Sequence, residues 1–230
     1  MTSDIRQLLT SLQFADSAFP SGFYTMSHGL EGYSQARLVE PDDVQDLLSS
    51  LLVHSVGPGD ATALAAAHRA AGAGDWDLVA EVDDRLFASK LNAEMRRAST
   101  RSGHQLADLA GVVLGSDALA EYRQRLEARA TPGCQPVVSA LIYSATGVDT
   151  RIAVAADLSA FAVSFVGAAL RLRLTDHRTS QVILHALGPV IEQVANAAVE
   201  RDLHDLGGFA PMADIMSAQH EKAEARLFAS

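Results

Sequence analysis

The sequence has one cysteine, Cys134, and one tryptophan among its 230 residues. A single thiol excludes an intrachain disulfide framework and a cysteine-rich zinc site. Basic side chains are outnumbered: 18 Lys and Arg stand against 28 Asp and Glu, a formal net charge of −10. That balance opposes nonspecific nucleic-acid binding, which basic surface drives, and permits a basic partner. Arg, Asp or His interrupts every apolar stretch before about 18 residues accumulate, so no membrane span is expected. The start, Met1-Thr2-Ser3-Asp4-Ile5, is polar and lacks the apolar core of a signal segment. A soluble cytoplasmic protein is expected. No stretch alternates β-branched residues with period two, and no internal repeat, low-complexity tract or dividing linker occurs. Gly-rich phosphate loops of the GxxxxGK[ST] or GxGxxG type are missing as well.

What is present is helical periodicity. Hydrophobic residues make up 48% and charged residues 20%, the balance of a globular chain. Ile5, Leu8, Leu9 and Leu12 follow the i, i+3, i+4, i+7 spacing and predict a helix over 5–14. Pro41 fits the first position of a helix striped by Val44, Leu47, Leu48, Leu51 and Leu52. Gly57-Pro58-Gly59 is expected to stop it, and Asp60 to cap an alanine-rich successor. Further helices are predicted over 76–90, 93–113, 116–130, 137–146 and 151–172. Another is predicted over 179–199, kinked by Pro189, and a last one over 212–227 with Ile215, Met216, Ala223 and Leu227 inward. Leu106, Leu109, Ala110 and Val113 form the inner face over 93–113. The expectation is an all-α, single-domain bundle of about ten helices covering 1–230.

Of thirteen aromatic residues (eight Phe, four Tyr, one Trp), five fall within residues 14–33: Phe14, Phe19, Phe23, Tyr24 and Tyr33. Pro20, Gly22 and Gly29 break this segment, so it is either a plug in the core or a presented binding surface. Nothing in the chain forms a complete active site. His220-Glu221 opens like a zinc-protease helix, but Glu224 stands where the second histidine would be. His220 then reads as the edge of an apolar stripe, and Cys134 as a structural residue. None of the eight histidines pairs with another at i, i+4. Two arginine groups, Arg96, Arg97 and Arg101, and Arg171, Arg173 and Arg178, are either solvated faces or contacts for an acidic partner or a nucleotide phosphate.

The broken aromatic segment also carries a family signature. Asp16-Ser17-Ala18-Phe19-Pro20, Gly22 and Gly29-Leu30-Glu31 resemble the opening of the urease accessory protein UreF family. Glu94, Arg96, Ala98, Ser99, Gly103 and Leu106 resemble its ELRxAS…G…L pattern, and Pro136-Val137-Val138 its YPVV segment. Ala168-Ala169, Arg171-Leu172, Gln181, Ile183-Leu184 and Pro189 are similar to its long paired helices. The end is the most specific: Phe209, Pro211, Asp214-Ile215, His220-Glu221, Arg226-Leu227-Phe228 and Ser230. The departures, Phe23, Met26, His28, Cys134-Gln135, residues 173–178 and Ala229, mark a divergent member.

The resemblance implies an all-α accessory protein with no catalytic, cofactor or metal site of its own. It implies a homodimer that binds a UreD/UreH-type accessory protein, recruits or modulates a UreG-type GTPase and assists nickel insertion into apo-urease. Partner-binding candidates are Phe19, Phe23, Tyr24, Glu31, Arg96, Arg171, His220, Glu221, Arg226, Leu227 and Phe228. Residues 1–25 and 211–230 would be partner-binding extensions, on the expectation that one chain leaves the apolar side chains near its ends uncovered. The alternative is a helical small-molecule-binding regulatory module with a deep apolar pocket. A third class, a metal-dependent helical hydrolase, would need clustered carboxylates and histidines.

Overall fold

In the computed structural model, which describes residues 2–229, every regular element is helical. Ser230 lies outside the described residues. The α-helices are α1 (Thr2–Ala15), α2 (Leu30–Gln35), α3 (Val44–Leu51), α4 (Thr62–Ala73), α5 (Trp76–Ser89) and α6 (Ala93–Leu114). They continue with α7 (Asp117–Glu127), α8 (Gln135–Ala145), α9 (Thr150–Arg171), α10 (His177–Ala186), α11 (Gly188–Glu200) and α12 (Pro211–His220). Short polar side chains start several of them. Asp75 accepts from the Leu78 amide, Asn92 from Met95, Asp149 from Arg151 and Asp176 from Thr179, each satisfying a donor of the first turn.

The core is built around α8, buried along Gln135–Tyr143 and packed on α4, α6 and α9. α9 is long and apolar enough to cross a membrane, contrary to the expectation from charge punctuation. Here it packs against α11, α1, α10, α4 and α8, with Leu158 and Phe165 fully inside. α10 and α11 meet at a bend of 43° beside Pro189, where the kink was expected.

Four expectations need correction. The Gly57-Pro58-Gly59 stretch does not stop a helix: Leu52–Ala61 is a π-helical run joining α3 to α4 without interruption. The wider turn tolerates the missing N–H of Pro58, and the Thr62 hydroxyl donates to the Gly57 carbonyl at 3.0 Å. Asp60 is therefore not a cap but a residue inside the helix. Val113 points outward while Leu106 and Ala110 are inside. The last helix ends at His220, seven residues early, and leaves Ile215 and Leu227 exposed. α12 lies so close to α2 that a Cβ at Gly32 would collide with the Met216 carbonyl.

Candidate functional site

The chain beyond α12 turns back over α2 and α6 and is seated on a buried carboxylate. Glu31, in the first turn of α2, is 4% exposed. It accepts from the backbone amides of Leu227 at 2.8 Å and Phe228 at 3.0 Å. Gln35, one turn on, donates both to Glu31 and to the Ala225 carbonyl. His220, fully buried, bridges Glu31 and Glu94: Nε2 lies 2.8 Å from Glu31 Oε2 and Nδ1 2.9 Å from Glu94 Oε1. Both contacts are hydrogen bonds only when each ring nitrogen carries a proton or a carboxyl supplies one. Both nitrogens are thereby used, leaving none for a metal. Ser217 donates to Glu94, and Arg226 reaches it at 3.5 Å.

The aromatic segment meets this tail. Gly22 takes the left-handed backbone, φ 93°, so Phe23 has no need to; it begins a short 3₁₀ turn, Phe23–Thr25. Arg171 at the end of α9 sits between two rings, 4.3 Å from the Tyr24 centroid and 4.3 Å from that of Phe228. It also donates to the Tyr24 carbonyl, and the Ala229 amide donates to Thr25 O at 2.8 Å. Burial lowers the Arg171 pKa. His28 packs on Phe161 with ring centroids 4.4 Å apart and the planes tilted by 49°, its Nε2 2.9 Å from Ser164 Oγ; burial, with help from Lys90 and Arg171, pushes it down to about 3, so it is neutral.

Glu31, Tyr24, Arg171, His220, Arg226, Leu227 and Phe228 thus form one seam. Glu31, His220 and Phe228 are buried in it, whereas Tyr24 and Leu227 are 64% exposed. Phe19 and Phe23 are half-buried beside Phe14 and His28. Glu221 flanks the seam, paired with Arg97 at 2.6 Å. Arg96 stands apart, over the Phe87 ring and donating to the Lys90 carbonyl at 2.7 Å.

α1 carries the largest departure from core logic. It packs on α9 and α8, and its covered side chains are Ser11, buried, and Gln7 and Phe14, half-buried; Gln7 donates to the Gly147 carbonyl just beyond α8. Its aliphatic stripe faces away, with Ile5 65%, Leu8 56%, Leu9 58% and Leu12 59% exposed. The periodicity that predicts the helix is the only sequence signal for this surface, and it does not say which side is covered.

Two buried polar groups are structural. Asp83 accepts from Tyr122 Oη at 2.7 Å, Thr131 Oγ1, and the amides of Gly133 at 2.7 Å and Cys134 at 2.8 Å, which fixes the loop entering α8. Burial beside this carboxylate pushes the Cys134 thiol up, the setting of an inert cysteine. A cavity of about 110 Å³ is lined by His28, Asp60, Lys90, Gln135, Asp157 and Asp214, among others. Lys90 donates to Asp60 at 2.7 Å; burial pulls its pKa down, but the charge and hydrogen bond of Asp60, together with Cys134 and Asp214, outweigh this and the net shift is upward. Burial raises Asp157 to about 6 despite a 2.8 Å hydrogen bond from Gln135. Among the described residues, no group of three or more His, Cys, Asp or Glu is arranged to hold a metal ion.

Known proteins give this geometry a context. The UreF family model matches residues 38–188. Urease accessory protein UreF 2 of Brucella canis is 35% identical over 96% of this chain and 91% of its own length. The urease accessory protein UreF of Trichodesmium erythraeum is 34% identical over the full length of both chains, and that of Photorhabdus laumondii 31% identical over 97% and 98%.

Proposed function

This chain belongs to the UreF family, and on that premise we propose that it is a non-catalytic scaffold of urease maturation in the cytoplasm. In this reading it acts as a homodimer, binds a UreD/UreH-type accessory protein and recruits or modulates a UreG-type GTPase while nickel enters apo-urease. The observation that carries it is the outward stripe of α1, Ile5, Leu8, Leu9 and Leu12. Four aliphatic side chains on one helix face are a helix-in-groove ligand awaiting a partner. The seam of loop and tail, with Tyr24 and Leu227 exposed, supports a second contact on the same molecule.

The test is co-purification with the UreD-type protein. Leu8→Asp and Leu12→Asp should keep the helical circular dichroism of the parent and reduce capture by about ten-fold or more, as loss of an interface anchor does. Capture at parental level by both variants would remove α1 from the reading. Truncation after Glu221 asks the same of the tail, and GTP turnover by the UreG-type protein asks whether the assembled scaffold modulates it.

A further inference from the structure

We propose that the stripe Arg97, Thr100, Arg101 and His104 on α6, exposed at all but half-buried Thr100, reads carboxylates, and that its ligand is an acidic peptide segment of a protein partner. These residues recur at i, i+3, i+4 and i+7, so they share one face of the helix. With Ala98 and Ala229 they line an open hollow of about 380 Å³. The hollow lies against the seam, because Arg101 holds Thr25 Oγ1 at 3.2 Å and Thr25 in turn holds the Ala229 amide.

Three observations specify the ligand. First, the chain already docks a carboxylate of its own there: Glu221 sits 2.6 Å from Arg97, and this hydrogen bond lowers the Glu221 pKa. Second, Arg101 has five N–H donors, spends one on a neutral hydroxyl, and pairs with no carboxylate among the described residues. Such a guanidinium, beside a neighbour already paired with a carboxylate, presents further N–H donors to a second carboxylate. His104 closes the far side, its ring oriented by the Pro132 carbonyl 2.9 Å from Nε2. Third, the lining has no Phe, Tyr or Trp platform for successive bases, and the net charge of −10 repels a polyanion as long as a nucleic acid more than a short segment. A short acidic segment meets these limits. Tyr24 and Leu227, exposed and next in sequence to Thr25 and near Ala229, would receive an apolar residue beside it.

The inference rests on the scaffold reading and adds the chemistry of one partner. It is tested on the full chain alone, by fluorescence anisotropy with a labelled hexaglutamate peptide. Binding that weakens with added salt is expected. Arg101→Ala should lower affinity about ten-fold, the loss of one charge-assisted bidentate contact, and Arg97→Ala/Arg101→Ala should lower it further. Arg151→Ala, an exposed arginine at the far end of α9, should leave it unchanged. Both α6 side chains are exposed, so parental circular dichroism should confirm that the variants fold. No binding by the parent, or equal binding by the double variant, overturns the proposal. Inorganic tripolyphosphate that binds at the stripe while hexaglutamate fails to displace it would overturn the ligand class. Because no partner protein enters this assay, its failure leaves the scaffold reading intact. Lost partner capture by Leu8→Asp with peptide binding retained is the converse result.

Discussion

Replacing Glu31 by alanine should free the C-terminal segment while the bundle stays folded. The carboxylate accepts from both the Leu227 and Phe228 amides, at 2.8 and 3.0 Å. Each hydrogen bond to a charged group contributes about 1.5–3 kcal/mol. Their joint loss is therefore at least about 3 kcal/mol, before the Phe228 ring loses its place against Arg171. Ordering the segment costs about 1–2 kcal/mol for each residue fixed, so it has little margin to absorb that loss. Amide hydrogen exchange at Leu227 and Phe228 measures the change directly. The two amides should exchange at least about 100-fold faster in Glu31→Ala, while those of α8 keep their protection. Trypsin should cut sooner at Lys222 and Arg226. Glu31→Gln, which keeps an acceptor oxygen without the charge, should fall between. Unchanged protection of the two amides in Glu31→Ala would refute the assignment of Glu31 as the seat of the tail.

Two further outcomes follow from other buried carboxylates. Asp83→Ala strands the Gly133 and Cys134 amides and the Tyr122 hydroxyl, and should cost at least about 3 kcal/mol in urea unfolding. Burial pushes Asp157 up to about 6 in the fold from an ordinary 3.8, so between those values the native state holds a proton that the unfolded chain has lost. Stability from this group therefore falls as pH rises from about 4 to 6, by about 3 kcal/mol. Asp157→Asn should flatten that part of the pH profile and raise the midpoint of unfolding at pH 8. His28 acts with the opposite sign over a wider range: burial pushes it from an ordinary 6.5 down to about 3, so its contribution is present above about 6.5 and is lost as pH falls toward 3.

Local chemistry made much of the fold legible. The Pro41 start and the Pro189 bend each depend on contacts within one or two turns, and each stands where the residues indicate. The order of the helices follows from apolar spacing for the same reason. The family was legible too, because its fragments are spread along the chain in a fixed order. The seam was only partly legible. Nothing in the sequence joins Glu94 to His220, 126 residues apart, or Glu31 to Phe228, 197 residues apart.

Residue order alone determined that Ile5, Leu8, Leu9 and Leu12 share a helix face, since a 3.6-residue repeat aligns them whatever surrounds the helix. Only the tertiary structure decided that this face looks outward, because coverage depends on what α8 and α9 present, and the side chains covered are Gln7, Ser11 and Phe14 instead. Likewise the glycines and proline at 57–59 set a local cost to helix, but the packing around them decided that the chain would widen into a π-turn and continue. Periodicity states which side chains travel together, and long-range contact states what they touch.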